Sequence, residues 1–313
     1  MFPVSDRLAA LSPSETLAMS QKSNELKAQG IDVINLSVGE PDFHTPDHIK
    51  EAAKQAVDNN FSFYSPVPGY PALRNAICAK LKSENGLEYK PEQIVCSNGA
   101  KQSVCNVILA VISKGDEVII PAPYWVSYPE MVTLADGKSV TVYAGIEQDF
   151  KITPAQLEAT ITPKTKAIIL CSPSNPTGSV YSKEELKGLA DVFAKHPYTG
   201  VLTCFDTMRV SFERLKKLVV DLARQIPGLK VNDPQGAFYI FPDCSSFYGK
   251  SFNGKKIENS GDLALYLLEE GHVACVGGGA FGAPDCIRMS YATSDENLVK
   301  AFGWIKDALA KLA

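Results

Sequence analysis

The sequence predicts an α/β fold in which a mostly parallel sheet is flanked by helices, followed by a smaller α+β domain at the C-terminal end. Three observations predict this fold. Short apolar segments alternate with helical patterns through most of the chain. Each of these segments is a nearly continuous apolar run, which is typical of parallel strands covered on both faces. After Pro227-Gly228 the alternation stops, and strands and helices follow in a different order.

Proline and glycine mark several helix boundaries in the first part of the chain. Thr45 is expected to cap a helix that opens with Pro46, and Gly86 follows another helix. The predicted helices of this part are residues 12–29, a segment from Pro46 onward, Pro71 to about Glu84, and Gly99–Ser113. The predicted strands are Ile94–Ser97, Glu117–Pro121, Ser139–Tyr143, Lys166–Cys171 and Val201–Phe205.

An amphipathic helix at residues 207–226 leads into the smaller domain, where the spacing of apolar residues changes. The strands predicted there are Ala237–Phe241, His272–Val276 and Ile287–Ser290, and the helices are residues 261–270 and 294–312. The sequence therefore divides into an N-terminal arm with a small-domain segment (1–45), a large domain (46–206) and a C-terminal small domain (207–313).

Composition excludes few globular classes but argues against two kinds of partner. The chain has 313 residues, 45% hydrophobic and 21% charged, which are ordinary globular values. A net charge of −4 gives no support for binding nucleic acid or an anionic membrane. No apolar run approaches the roughly 20 residues of a membrane span, and the N-terminus lacks the pattern of a signal peptide.

Cysteine and histidine usage indicates a cytoplasmic protein without a metal site. None of the eight cysteines forms a C-x-x-C pair, and several lie in apolar contexts such as Ile94–Cys96, so we expect buried, reduced thiols. The four histidines show no grouping of metal ligands, because Pro46 lies between His44 and His48.

Six segments together carry a resemblance to a known family: SVGEPDFHTP (37–46), YSPVPGYPALRN (64–75), SNGAKQ (97–102), PAPYWVSY (121–128), SPSNPTG (172–178) and CIRMSYAT (286–293). They resemble the fold-type-I, pyridoxal-phosphate-dependent aminotransferases of class I, in the aspartate aminotransferase group. The resemblance covers nearly the whole chain. It implies a dimer and the transfer of an amino group between an amino acid and a 2-oxo acid, with aspartate-like substrates.

The segment at residues 97–101 joins a predicted strand to a predicted helix. Backbone N–H groups at a helix start bind anions, although a plain strand–helix turn has the same sequence character. The resemblance implies that Gly99, Ala100 and Lys101 bind the cofactor phosphate. It also makes Lys101 a candidate for contact with a substrate side-chain carboxylate.

Three further residues have cofactor roles implied by the resemblance. Tyr64 resembles the tyrosine that reaches the phosphate of the neighbouring subunit's cofactor. Trp125 resembles the aromatic residue that stacks on the pyridine ring. Asn175 resembles the amide that donates to the cofactor's phenolate oxygen. For Tyr64 and Trp125 a core position is the alternative, and Asn-Pro-Thr-Gly is also a common turn.

Asp206, Arg288 and Gly39 complete the predicted site. The resemblance implies that Asp206 pairs with the pyridine nitrogen, although an exposed helix cap is the alternative, and Arg209 stands where the family has a tyrosine. Arg288 matches the arginine that takes the substrate α-carboxylate, whereas the plain alternative is a surface ion pair. Gly39 would lie near the same carboxylate.

The lysine that holds the cofactor as a Schiff base in this family is absent. The family has it in a Ser-x-x-Lys or Ser-Lys segment, and no such segment lies between Asn175 and Gly228. The lysines of that region are expected on solvated helix faces: Lys183, Lys187, Lys195, Lys216 and Lys217. We therefore assign no catalytic residue, and we expect pyridoxal phosphate to bind non-covalently at best.

The resemblance resumes at Met208-Arg209, so the missing part is a block of order 100 residues. In the family this block supplies a tyrosine, the lysine, a phosphate-binding arginine and two central strands of the large sheet. Three interpretations stay open. The chain is an inactive or impaired aminotransferase relative, a non-catalytic protein that binds the cofactor or dimerises, or an enzyme of another fold-type-I reaction such as a lyase.

Overall fold

The computed structural model describes residues 4–41, 43–197, 199–204 and 212–313. The chain forms two compact units. The helical unit is Phe43–Ala110, and the main unit is Met1–Asp42 together with Val111–Ala313.

Among the described residues, helices and strands alternate from Ala100 to Arg224, whereas helices predominate before Ala100. The helices are α1 (Asp6–Ala9), α2 (Glu15–Ala28), α3 (Asp47–Asp58), α4 (Pro71–Asn85), α5 (Ala100–Val111), α6 (Ser127–Leu134), α7 (Pro154–Thr160), α8 (Lys183–Phe193), α9 (Phe212–Arg224), α10 (Ser260–Gly271) and α11 (Asp295–Ala310). The strands are β1 (Ile34–Asn35), β2 (Glu117–Ala122), β3 (Lys138–Tyr143), β4 (Thr165–Cys171), β5 (Gly200–Cys204), β6 (Tyr239–Ile240), β7 (Ser251–Phe252), β8 (Lys255–Lys256), β9 (Val273–Ala274), β10 (Val276–Gly277) and β11 (Ile287–Ser290).

A four-stranded parallel sheet in the order β3-β2-β4-β5 forms the first part of the main unit. Its strands are the apolar runs that the sequence marks, because a strand covered on both faces has no polar side. On one face Ile119 and Ile168 pack against Leu157 of α7 and Leu189 of α8. The prediction of these four parallel strands is confirmed, although Phe205 lies outside the described residues.

The C-terminal part of the main unit contains a three-stranded antiparallel sheet in the order β10-β11-β6, and β9 pairs in parallel with β1. Helices α9, α10 and α11 share one apolar core with these strands, to which Leu263 and Phe302 contribute. The predicted α+β character of this part is confirmed.

The helical unit consists of α3, α4 and most of α5. Helix α4 begins at Pro71 and ends before Gly86, whose φ of 67° closes the helix in the left-handed conformation, as predicted. Among the described residues of this unit, only Ile108 is buried.

Some predicted boundaries are wrong, for local reasons. Ile94–Ser97 forms no strand, and the N–H of Cys96 donates to the Pro68 carbonyl instead of to a ladder. Pro46, rather than Thr45, occupies the N-cap of α3, which has no side-chain cap. The strand predicted at Ala237–Phe241 is reduced to Tyr239–Ile240, because Ala237 has a φ of 55°.

The strand predicted at His272–Val276 is divided between two sheets. His272 ends α10 with a φ of 54°. Val273–Ala274 then pairs with β1, and Val276–Gly277 pairs with β11.

Among the described residues, no helix combines the length and apolar character that a membrane span requires.

Candidate functional site

Arg288 is the most deeply buried cation of the described chain, with 3% of its surface exposed. It lies on β11, so the strand fixes its backbone, and its side chain is anchored at two points. Nη2 donates to the Ser37 carbonyl oxygen at 2.5 Å, just beyond β1. Nη1 donates to Oδ1 of Asn175 at 3.1 Å. Its Nε is buried and has no hydrogen-bond partner within the described residues.

Two aromatic rings hold the guanidinium from its sides. Its central carbon lies 4.6 Å from the ring centre of Tyr239 and 4.8 Å from that of Phe281. Burial lowers the pKa of Arg288, although Tyr239 acts in the opposite direction. An arginine nevertheless stays protonated in proteins, so this is a permanent buried positive charge.

No carboxylate pairs with Arg288 within the described residues, since its hydrogen bonds go to a carbonyl and to an amide. A buried charge without a counter-ion is costly, and a buried unpaired donor adds to that cost. One small anion placed against the guanidinium would meet both needs. A planar carboxylate matches the guanidinium fork best.

Asn175 reaches this position on a turn that follows β4. The turn is closed by hydrogen bonds from the Ser174 N–H to the Ser179 carbonyl (3.0 Å) and from the Gly178 N–H to the Ser174 carbonyl (2.9 Å). Gly178 is required because its φ is 71° and a Cβ there would lie 2.8 Å from the Gly236 carbonyl oxygen. Since Oδ1 of Asn175 is held by Arg288, the amide N–H₂ group is left to donate elsewhere.

Gly39 lies two residues beyond Ser37, on the segment that Arg288 holds. A Cβ on Gly39 would overlap the hydroxyl of Tyr239, the ring that covers the guanidinium. The structure thus brings Gly39, Tyr239, Asn175 and Arg288 together within the main unit. Sequence reasoning gave no individual role to Tyr239 or Phe281. The aromatic run at 238–241, on the strand beside β11, is a signal for Tyr239 but not for Phe281.

Trp125 lies between β2 and α6, and it is half-buried. Its ring packs edge-on against Tyr128, with centroids 5.3 Å apart. The preceding residue, Tyr124, donates its N–H to the carbonyl of Phe281 at 3.0 Å. The Trp125 segment is therefore hydrogen-bonded to the backbone of Phe281, whose ring lies beside Arg288.

Four of the remaining predicted site positions belong to the helical unit. Gly99 has a φ of 81° and precedes α5, which starts at Ala100. Ala100, Lys101 and Tyr64 are exposed. The Asn98 N–H donates to Oε1 of Gln102, a residue in the first turn of α5. The predicted turn at residues 97–101 therefore leads into a helix. Asp206, the predicted partner of the pyridine nitrogen, lies outside the described residues.

No lysine is buried among the described residues. Lys183, Lys187, Lys195 and Lys217 are exposed, in agreement with their predicted position on solvated helix faces. Lys216 differs, since it is half-buried and pairs with Asp233 at 3.5 Å. Sequence reasoning missed Lys151, which is 16% exposed and lies between Asp149 and Glu185.

The burial of the cysteines varies more than predicted. Cys244, Cys275 and Cys286 are buried, whereas Cys78, Cys96, Cys105 and Cys171 are only partly buried, and none of these seven forms a disulfide bond. Burial raises the pKa of Cys244 to about 12, so this thiol is unreactive. Within the part of the chain that the structure describes, no three His, Cys, Asp or Glu side chains are grouped as metal ligands would be.

A family model described as aminotransferase class I and II matches residues 31–208 and 197–303 of this chain. The chain belongs to the aminotransferase class I and II family. Aminotransferases of this family depend on pyridoxal phosphate and act on amino acids and 2-oxo acids, so both are implied for this site.

Relatives and solved structures agree with this assignment. The chain is 39% identical to the aspartate/prephenate aminotransferase of Cereibacter sphaeroides, and the alignment covers 99% of each protein. It also matches the crystal structure of the aspartate aminotransferase from Rhizobium meliloti with a TM-score of 0.93 and 32% identity, over 100% of both chains. A Thermus thermophilus aspartate aminotransferase with maleate matches with a TM-score of 0.90 and 32% identity, over 98% of this chain and 100% of the other. The predicted family and fold are confirmed.

The alignment with the Cereibacter sphaeroides aminotransferase is longer than the chain itself. It has 397 positions against 313 residues, so at least 84 positions carry no residue of this chain. The family model also matches in two parts, and the two matched ranges overlap at residues 197–208.

Proposed function

We propose that this chain is a relative of the aspartate/prephenate aminotransferases that binds the α-carboxylate of an amino acid or 2-oxo acid and has little or no transaminase activity. The observation that carries the proposal is the buried guanidinium of Arg288 with its unpaired Nε. The proposal therefore separates a binding function, which the chain keeps, from a catalytic function, which it lacks.

The carboxylate function rests on the way in which Arg288 is held. Its two terminal nitrogens are anchored by Ser37 and Asn175, and rings cover its sides, so the guanidinium is oriented before any ligand arrives. Little side-chain entropy is then lost on binding, which favours affinity. Small dicarboxylates such as maleate are suitable probes because aspartate and its 2-oxo acid are dicarboxylates.

The residues that remain also suit pyridoxal phosphate in part. The free amide N–H₂ of Asn175 would donate to the phenolate oxygen, Trp125 would cover the ring, and Asp206 would pair with the ring nitrogen. Gly99, Ala100, Lys101 and a partner subunit's copy of Tyr64 would contact the phosphate. When bound, the cofactor supplies an electron sink for negative charge at the substrate α-carbon.

Proton transfer at that carbon needs a base, and none of the lysines in the described part of the chain is buried in the manner of a catalytic base. The lysines near residues 197–208 are solvated or ion-paired. Lys151 is half-buried, but two carboxylates hold its ammonium group, so it keeps its proton. The chain would thus bind and orient a substrate without moving its proton.

A single internal loss accounts for the missing lysine. The unmatched positions of the alignment and the division of the family match at residues 197–208 support the loss of one block. A mis-spliced or internally deleted product explains such a break better than gradual decay. The division into residues 1–45, 46–206 as a truncated cofactor-binding domain, and 207–313 remains part of this proposal.

A second function is a subunit role without catalysis. The aromatic segment that contains Phe61, Phe63 and Tyr64 is strongly exposed in the single chain. A homodimer, or a dimer with a complete aminotransferase, would cover it. Co-purification of differently tagged chains tests this role.

The deciding experiment combines binding and chemistry on the purified full chain. Maleate binding is measured by isothermal titration calorimetry. Pyridoxal phosphate is then added, the absorbance spectrum is recorded before and after borohydride, and peptides are mapped by mass spectrometry. Aspartate and 2-oxoglutarate are supplied in a turnover assay.

We expect maleate to bind, the spectrum to remain that of free cofactor, no peptide to carry a reduced cofactor adduct, and no turnover. Robust transamination, or a lysine peptide that carries the adduct, would overturn the proposed inactivity. Absence of maleate binding by a folded chain would overturn the carboxylate function.

A further inference from the structure

A group of charged residues contacts the C-terminal end of the turn that carries Asn175. Oγ of Ser179, which is 2% exposed, donates to Oδ1 of Asp149 at 3.2 Å. The other oxygen of Asp149 lies 3.3 Å from Nζ of Lys151. Since the Ser174 N–H donates to the Ser179 carbonyl, this contact fixes the closing end of the turn.

Lys151 also contacts residues that follow the turn. Its Nζ lies 2.9 Å from Oε1 of Glu185 and donates to the Val180 carbonyl at 3.5 Å. A cavity of about 20 Å³ beside it, bordered by Ser174 and Ser179, has room for about one water. The ammonium group thus contacts oxygen atoms of Asp149, Val180 and Glu185.

The backbone before Lys151 is strained. Asp149 and Phe150 have φ values of 50° and 57°, in the left-handed region that residues with side chains rarely adopt. The ring of Phe150 is buried against Phe241, 5.7 Å between centroids, so packing maintains this conformation. Strain of this kind persists only where the surroundings determine the backbone, and it is concentrated at functional sites.

We propose that Asp149 and Lys151 are positioning residues, which fix the Ser174–Ser179 turn so that Asn175 holds Arg288 in its carboxylate-binding orientation. The chain of contacts runs from Lys151 through Asp149, Ser179 and the turn to Oδ1 of Asn175, and from there to Nη1 of Arg288. The inference rests on the proposed function in that Arg288 binds a carboxylate.

The electrostatics keep this arrangement permanent. Burial acts to lower the pKa of Lys151, but its hydrogen bonds to Glu185 and Asp149 outweigh burial, so the pKa is raised. Lys151 is therefore charged at neutral pH, and the group acts as a fixed support for the turn.

The test uses Lys151→Met and Asp149→Asn, which keep the size of each side chain and remove its charge. Lys187→Met is the matched control, because Lys187 pairs with Asp191 at 2.7 Å but is 74% exposed on α8. The first measurement is the NMR signal of the Arg288 Nε–H group, which needs no ligand. The chain has six arginines, and Arg288→Lys assigns the signal.

We expect the Arg288 signal to move by more than its linewidth in Lys151→Met and Asp149→Asn, and to stay in place in Lys187→Met. The dissociation constant of maleate should rise about two- to thirtyfold in the two variants, the range for residues coupled through a contact network. Lys151→Arg, which keeps the charge, should restore most of the affinity.

An unmoved Arg288 signal in folded Lys151→Met and Asp149→Asn would overturn the inference, even if both variants melt at a lower temperature. If these variants do not fold, Ser179→Ala removes only one hydroxyl and is judged by the same signal. A wild-type chain that does not bind maleate would contradict the proposed function, whereas a moved signal in that case would still support the positioning role.

Discussion

Nη1 of Arg288 donates a hydrogen bond of 3.1 Å to Oδ1 of Asn175, although the two residues are 113 positions apart. Arg288 belongs to the C-terminal antiparallel sheet, and Asn175 lies on the turn after a strand of the parallel sheet. Because an arginine only donates, the contact determines which end of the carboxamide faces it. One hydrogen bond thus orients both the Asn175 amide, the proposed donor to the cofactor, and the Arg288 guanidinium, the proposed cation for the substrate carboxylate.

Arg288→Lys should remove carboxylate binding. A lysine has one nitrogen, which cannot contact the Ser37 carbonyl, the Asn175 oxygen and a ligand carboxylate with the same geometry. Loss of a buried, hydrogen-bonded charge pair costs about 2–5 kcal/mol, so maleate affinity should fall by about 30-fold or more. Isothermal titration calorimetry measures this change.

Arg214→Lys is the matched control for that variant. Arg214 pairs with Asp295 between α9 and α11, and it is exposed. Its replacement should leave maleate binding unchanged. Equal binding by Arg288→Lys and the wild type would show that the carboxylate binds elsewhere.

Much of the fold follows from the sequence because its signals are local. The strands β2 to β5 are apolar runs separated by helices, and Pro71 and Gly86 give the limits of α4 almost to the residue. Arg288 was predicted from its neighbours in the sequence, and the structure places it in a buried position with Gly39 and Asn175 nearby.

The remaining features depend on contacts between distant residues. Ile94–Ser97 has the composition of a strand, but a strand also needs a partner, and none of the described strands pairs with it. Lys151 resembles any surface lysine until Glu185 is brought to it by the packing of α8 near the turn. The periodicity of apolar residues along the sequence does not reveal contacts between residues that are distant in the chain.

Gly39→Ala should destabilise the main unit. The new methyl group would overlap the hydroxyl of Tyr239, which packs against the Arg288 guanidinium. Overpacking of this kind costs about 1–3 kcal/mol, which should appear in urea unfolding. A second change, Tyr239→Phe, removes the hydroxyl and should recover part of the loss.

Gly279→Ala gives the comparison for Gly39. A Cβ at Gly279 would have no heavy atom within 4 Å, so stability should change little. If both alanine variants unfold at the same urea concentration, the overlap of a Cβ at position 39 with Tyr239 does not destabilise the chain.

Acid should destabilise the chain partly through Glu117. Oγ1 of Thr162 (2.6 Å) and Nζ of Lys138 (3.2 Å) donate to its carboxylate, and these hydrogen bonds lower its pKa. A lowered pKa contributes stability that is present above the unfolded value of about 4.3 and is lost as pH falls through the folded value. Melting temperatures of Glu117→Gln should therefore depend less on pH between about 2 and 5 than those of the wild type.

Glu258→Gln controls for the loss of one surface carboxylate, because Glu258 is exposed. Its melting temperatures should follow the wild-type pH dependence. A Glu117→Gln profile parallel to that of the wild type would exclude Glu117 as a source of acid sensitivity.

Restoring the missing block should restore the chemistry. The segment of the Cereibacter sphaeroides aminotransferase that has no counterpart here, at least 84 positions, would be inserted where the two family matches meet. The graft should form a borohydride-stable cofactor adduct on its own lysine and catalyse transamination. The same graft with that lysine replaced by alanine should lose about 10²- to 10⁴-fold in rate, the usual contribution of a positioned proton-transfer group. If the intact graft folds and binds maleate but neither forms the adduct nor catalyses transamination, residues of this chain outside the block have also lost their function. A single deletion would then no longer explain the proposed inactivity.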